Sequence, residues 1–191
     1  MRSWATEMNE PMTILEKHLT REELEAGLDE IRESPQDEGV LEMIVRRPHV
    51  GERETVEEAS LDTEVGLVGD SWSTRRSPDP DAQLTIMNAR LIALVAGGRE
   101  RWPLAGDQLF VDLDLSAANL PPGTRLAVGS AVIEITPEPH TGCRKFVSRY
   151  GLDAQKFVNS EVGRALRLRG VNARVVRKGT IRRGDVVRKT G

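Results

Sequence analysis

Arg125-Leu126-Ala127-Val128-Gly129-Ser130-Ala131-Val132-Ile133-Glu134-Ile135 decides the fold class. Two short apolar runs flank a Gly-Ser pair, which is the pattern of a tight hairpin between two strands. The same grammar recurs on both sides. Leu41–Val45 and the stretch 84–95 are rich in branched aliphatics, and Leu109–Leu115 alternates apolar residues with Asp, the period of a half-exposed strand. Further along, Val171–Val176, Gly179, Ile181 and Val186-Val187 read as short strands joined by tight turns at Gly184-Asp185. Many short strands without a repeated strand-helix alternation predict a mainly β, barrel-like domain with short helices. Helical breaks are expected at residues 55–59, at 153–158 with Asp153 as cap, and at 163–168. Residues 73–82 read as a loop.

Ahead of the β-rich part, Thr20 and Glu23 form a capping-box signature, followed by Leu24, Leu28 and Ile31 at helical spacing. Ser34-Pro35 ends this amphipathic helix. So short a helix needs its apolar stripe docked on the main body or on a partner. The expected organisation is an extension over residues 1–38, whose first twelve residues show no periodicity, and one domain over 39–191.

Hydrophobic residues make up 38% and charged residues 30% of the 191, as in ordinary globular proteins, while aromatics at 4% leave the core to branched aliphatics. No run reaches the roughly 20 apolar residues of a membrane span, and the N-terminus does not read as a signal peptide. With one cysteine, a reducing, cytoplasmic location is expected, and a zinc cage built on several cysteines is excluded. Net charge is -3 but is unevenly placed: residues 1–70 hold 7 Lys and Arg against 19 Asp and Glu, and residues 144–191 hold 14 against 3. The basic end either pairs with the acidic one or forms an anion-binding surface, nucleic acid included. Sparse aromatics there argue against single-stranded nucleic acid.

Pro137-Glu138-Pro139-His140-Thr141-Gly142-Cys143-Arg144-Lys145-Phe146 follows directly on the hairpin. It puts the lone thiol in a stiff loop at a strand end, where Gly142 would leave room for a ligand. The charges of Arg144 and Lys145 would favour the thiolate, making Cys143 a nucleophile or soft metal ligand. His140 is too near in sequence to serve as the base of a hydrolase dyad and is expected on backbone or ligand. Gly66–Asp70 reads as a turn with Asp70 accepting backbone or ligand donors. Arg46-Arg47-Pro48 and Gly51-Glu52-Arg53 offer guanidinium forks, more suited to pairing with acids such as Asp70 than to a ligand.

Taken in order, these pieces resemble the MOSC domain, named for the C-terminal domain of molybdenum cofactor sulfurases. The resemblance spans roughly residues 40–190. It rests on Arg47-Pro48 with Gly51-Glu52-Arg53, Gly66–Asp70, Gly106-Asp107-Gln108-Leu109 leading to Ser116–Leu120, Gly142–Phe146, and Arg169-Gly170-Val171 through Gly184-Asp185. It implies a barrel-like fold and one functional cysteine, Cys143. That residue would carry sulfur as a persulfide or ligate molybdenum of the pterin cofactor (molybdopterin), as in reductases of N-hydroxylated compounds. Asp70, Asn119, His140, Arg144 and Lys145 would border the cofactor. A sulfur donor such as a cysteine desulfurase, or an electron-transfer protein, would be the partner. The chain has no room for the pyridoxal phosphate domain of the sulfurases. Ala117-Ala118-Asn119-Leu120 stands where many relatives have Gly-Glu-Asn-Leu, and Gly142 where many have Pro.

Overall fold

The computed structural model describes residues 18–190. The Gly129-Ser130 hairpin forms as read: β7 (Arg125–Val128) pairs antiparallel with β8 (Ala131–Ile135), and Gly129 takes φ +54°, a value that favours glycine. Around it, seven strands close into a barrel. In spatial order they are β11 (Val186–Thr190), β7, β8, β9 (Val171–Arg177), β5 (Leu84–Asn88), β6 (Leu109–Asp112) and β1 (Glu38–Arg46), and β1 returns to β11. Closure leaves no free edge in this ring. A short hairpin strand, β2 (Glu54–Val56), continues from β1, while β3 (Glu58–Asp62), β4 (Gly66–Leu67) and β10 (Gly179–Arg182) make a second small sheet.

Alternation sorts the apolar side chains into two cores. On β6, Leu109 and Val111 point into the barrel and Phe110 points out; on β5, Leu84 and Ile86 point in and Met87 out. On β1 the inward residues Leu41 and Ile44 are three apart, which strict alternation forbids. A register shift between Leu41 and Met43 resolves this by rephasing the strand. The small sheet adds Ala59, Leu61, Leu67 and Ile181 to the barrel core, which among the described residues contains no aromatic side chain. The outer core carries Trp102, Phe110, Phe146, Tyr150 and Phe157, beneath a helical layer.

That layer is built from α1 (Arg21–Ala26), α2 (Leu28–Arg32), α3 (Ala89–Ala96), α4 (Arg144–Tyr150), α5 (Leu152–Val158) and α6 (Glu161–Ala165). The capping box at Thr20 and Glu23 is present, but the expected single helix is broken at Gly27 into α1 and α2. Leu24 and Ile31 dock into the outer core of the same chain.

Three expectations change. Residues 55–56 and 58–59 are strand, with a bend at Glu57 between them, because Thr55 pairs with Val45 and Ala59 with Ile181, and pairing overrides the helix preference of Glu58. The strand expected over 84–95 stops at Asn88, whose side chain caps α3 by accepting from Leu91 N at 2.9 Å; Leu91, Ile92, Val95 and Ala96 then share a helical face. Gly151, not Asp153, caps α5, and α6 begins earlier than read, capped by Ser160.

Part of the uneven charge resolves into pairing. Arg182 with Glu58, Arg183 with Glu57, Arg188 with Glu38 and Lys189 with Asp37 join basic C-terminal residues to acidic N-terminal ones at 2.5–3.4 Å. Among the described residues no helix is long and apolar enough to cross a membrane.

Candidate functional site

Cys143 lies at the start of α4, exposed, where the loop after β8 turns into helix. Gly142 makes that turn possible in a way the sequence did not suggest. A Cβ there would come within 3.1 Å of both Asn159 Nδ2 and Val158 Cγ2, so the missing side chain admits α5 rather than a ligand. Gly142 N donates to Asn159 Oδ1 at 3.0 Å, and Asn159 Nδ2 returns a bond to Gly142 O at 3.3 Å. The backbone just before Cys143 is thereby tied to the C-terminal end of α5.

The thiol opens into a cleft of about 450 Å³ lined by Arg47, Arg53, Arg75, Lys145 and Arg149, with no carboxylate among its lining residues. Burial pushes the Cys143 thiol up; the backbone amides of Phe146 and Lys145 and the Arg169 guanidinium outweigh it, leaving the thiol below its ordinary range. The charges of Arg144 and Lys145 are not among these causes. Arg144 is exposed and does not line the cleft, whereas Lys145 does.

Two buried acids hold the surroundings in place. Asp70, whose side chain is fully buried, grips Arg47 bidentately, Nε to Oδ2 at 2.8 Å and Nη2 to Oδ1 at 2.9 Å, and also accepts from Arg47 N and Trp72 N. Arg47 Nη1 donates to Gly106 O at 2.9 Å, tying the end of β1 to the Gly66–Asp70 turn and to the approach of β6. Asp70 is thus one layer beneath the cleft. Asp107, equally buried, accepts from Arg169 Nη1 at 2.7 Å and from His140 Nε2 at 2.9 Å. Burial alone would raise the Asp107 carboxyl; Arg169 and His140 hold it below the ordinary carboxylate range. Arg169 also sits over the Phe146 ring, 5.1 Å from its centroid, beneath the first turn of α4.

The cleft cations are placed differently. Arg53 Nη1 donates to Glu52 O at 2.5 Å, but its Nε is buried without a partner. Burial, then repulsion from Arg149 and Arg47, lowers its pKa; burial, then Arg47, lowers that of Arg75. Arg149 Nη1 donates to Leu104 O. Arg53 and Arg149 thus rest on carbonyls, and among the described residues none of the three forms an ion pair with an acid.

Of the residues singled out from sequence, Cys143 and Lys145 meet in the cleft and Asp70 supports it. His140 was expected on backbone or ligand and instead bonds the Asp107 carboxylate; it lines a separate cavity behind the loop. Asn119 lies elsewhere: its Nδ2 donates to Gln36 O and Asp114 O, both at 2.8 Å, and its Oδ1 accepts from Lys189 Nζ at 2.9 Å. Arg53, Arg75, Arg149, Arg169 and Asp107 were not named as site residues, though the Gly51-Glu52-Arg53 fork and Gly106-Asp107 were visible signals.

The sequence model of the MOSC domain matches residues 75–188. The chain belongs to the MOSC domain family. β1, which lies ahead of the matched residues, is nonetheless an integral stave of the barrel. Solved structures share this fold at low identity. YUAD protein from Bacillus subtilis has a TM-score of 0.53 at 17% identity, covering 78% of this chain and 94% of that one. YiiM from Escherichia coli has a TM-score of 0.52 at 20% identity, covering 80% and 70%. A structure described as that of a hypothetical protein has a TM-score of 0.57 at 19% identity, covering 82% and 69%. No curated protein matches the sequence.

Proposed function

We propose that this MOSC protein handles the molybdenum cofactor or its sulfur through Cys143. The observation that carries the reading is the union of a thiolate-favouring cysteine with an acid-free cleft of four guanidiniums and a lysine. A phosphate-bearing pterin suits that cleft, with Arg53, Arg75 and Arg149 holding the phosphate by charge-assisted hydrogen bonds.

The donor set fits as well. Among the described residues no three His, Cys, Asp or Glu converge to hold a bare ion, so a metal at Cys143 would need ligands brought by a cofactor. The pterin supplies those ligands and, with molybdenum, two-electron redox chemistry. The residues of this chain would orient it: Cys143 presents one soft ligand, and the arginines fix the anionic end. Reduction of N-hydroxylated compounds would draw electrons from a separate protein. In the carrier role, the Cys143 thiolate attacks the outer sulfur of a donor persulfide, such as that of a cysteine desulfurase; a new S–S bond forms and the donor leaves as thiolate. Residues 39–191 would form the functional unit and 1–38 an extension whose Leu24 and Ile31 dock on it.

The test is reconstitution with molybdopterin, with and without molybdate, and mass spectrometry of freshly purified protein. Bound pterin that is lost in Cys143→Ala supports ligation. A gain of one sulfur, about 32 Da, on Cys143 supports carriage. Equal pterin binding by parent and Cys143→Ala, with no sulfur adduct, would overturn both.

A further inference from the structure

Behind the cysteine loop lies a second cavity of about 270 Å³, on whose lining Cys143 does not appear. One wall is the 136–141 loop; the other is the segment from α6 to the start of β9. Two features give it chemical character. Arg164 and Arg167 stand on it, and among the described residues neither forms an ion pair; Arg167 Nη1 donates only to Leu120 O at 2.6 Å. Arg167 also holds φ +48°, alone among the described non-glycine residues in the left-handed region. That φ belongs to the C-cap of α6, where Leu168 N donates to Gly163 O at 2.8 Å and Arg167 N to Arg164 O at 3.2 Å, and it leaves the Arg167 guanidinium, like that of Arg164, on the cavity lining without an acid among the described residues. The lining's one carboxylate, Glu138, is exposed. The remaining walls include Pro137, Pro139, Val158 and Val171, an apolar body beside a cationic mouth.

We propose that this cavity binds a compact organic anion, its carboxylate or similar group on Arg164 and Arg167 and its apolar part against Pro137, Pro139, Val158 and Val171. The buried amide of Asn172 contributes orientation: its Nδ2 is fixed on Glu138 O at 3.0 Å, and its Oδ1 accepts no hydrogen bond among the described residues. A ligand N–H or O–H would satisfy it. The proposal goes beyond the Cys143 reading and stands without it.

The test is an amide NMR titration of the intact protein at constant ionic strength with benzoate, benzyl alcohol and inorganic phosphate. Benzoate is expected to saturate and to shift the amides of Thr141, Gly170 and Asn172, with the other two probes at least about tenfold weaker. Arg164→Gln, an exposed change that leaves the fold intact, and Arg167→Gln should each weaken benzoate about tenfold, the loss of one charge-assisted contact. Cys143→Ala should leave benzoate affinity within about twofold, even if it abolishes pterin binding. No saturation, equal binding of benzyl alcohol, equal binding of phosphate, or indifference to both arginine changes would each overturn the proposal.

Discussion

Arg47 on the cleft lining and Arg169 beneath it are each held by a fully buried carboxylate; Arg53, Arg75 and Arg149, also on the lining, have none among the described residues. The two sets lie within one small region of the molecule, so their difference is a division of labour. A buried guanidinium with a carboxylate is a closed unit: its charge is neutralised and its donors fixed, and it serves to bind chain segments together. A guanidinium crowded by others and supported by carbonyls retains its appetite for an anion. On the proposed function, structure resides in the first set and recognition in the second.

The lower set should break first. Asp107→Asn leaves Arg169 buried without its counter-charge and weakens the hold on His140, for an expected loss of about 3 to 5 kcal/mol, read by urea denaturation. The acid limb carries the same signature. The Asp107 carboxyl is depressed in the folded state, so its contribution is present above the unfolded carboxylate range near about pH 4 and is lost as pH falls through the folded value. Asp107→Asn should therefore flatten the stability profile below that pH. Asp70→Asn removes half of a bidentate pair and alters the cap on Trp72 N; with Arg47 partly exposed, about 2 to 3 kcal/mol is expected.

The contrast between the two sets also explains what could be read in advance. The barrel was legible because alternation is local: Leu109, Val111 and the Gly129-Ser130 turn declare strands within a few residues. Strand ends were less so, since Asn88 stops β5 through a cap that propensity alone does not reveal. The cysteine stood out as the lone thiol in its loop, and the Arg47 fork with Asp70 was foreseen as structural. The rest of the site was hidden by distance along the chain. Asp107 meets His140 and Arg169 across 33 and 62 residues, and only barrel closure brings them together. Asn119 showed the reverse problem, a residue prominent in a motif whose side chain is occupied by Gln36, Asp114 and Lys189.

On the upper set, the expected effects move from stability to binding. Arg53→Gln removes a partly buried charge that no acid neutralises among the described residues, so the free energy of unfolding should change by less than about 0.5 kcal/mol. The same change should weaken binding of molybdopterin about tenfold, measured by fluorescence titration of the pterin. A variant that loses both stability and binding would place Arg53 with the lower set instead.

The smallest effect concerns the thiol itself. Alkylation of Cys143 by iodoacetamide, followed against pH, should show a midpoint below the roughly 8.5 of a free cysteine. Because the amides of Phe146 and Lys145 and the Arg169 guanidinium lower it, Arg144→Gln and Lys145→Gln should leave that midpoint nearly unchanged. A large upward shift in either variant would mean that surface charge, rather than the fixed backbone and the buried set below, tunes the thiol, and the division between the two arginine groups would then fail at the residue where it matters most.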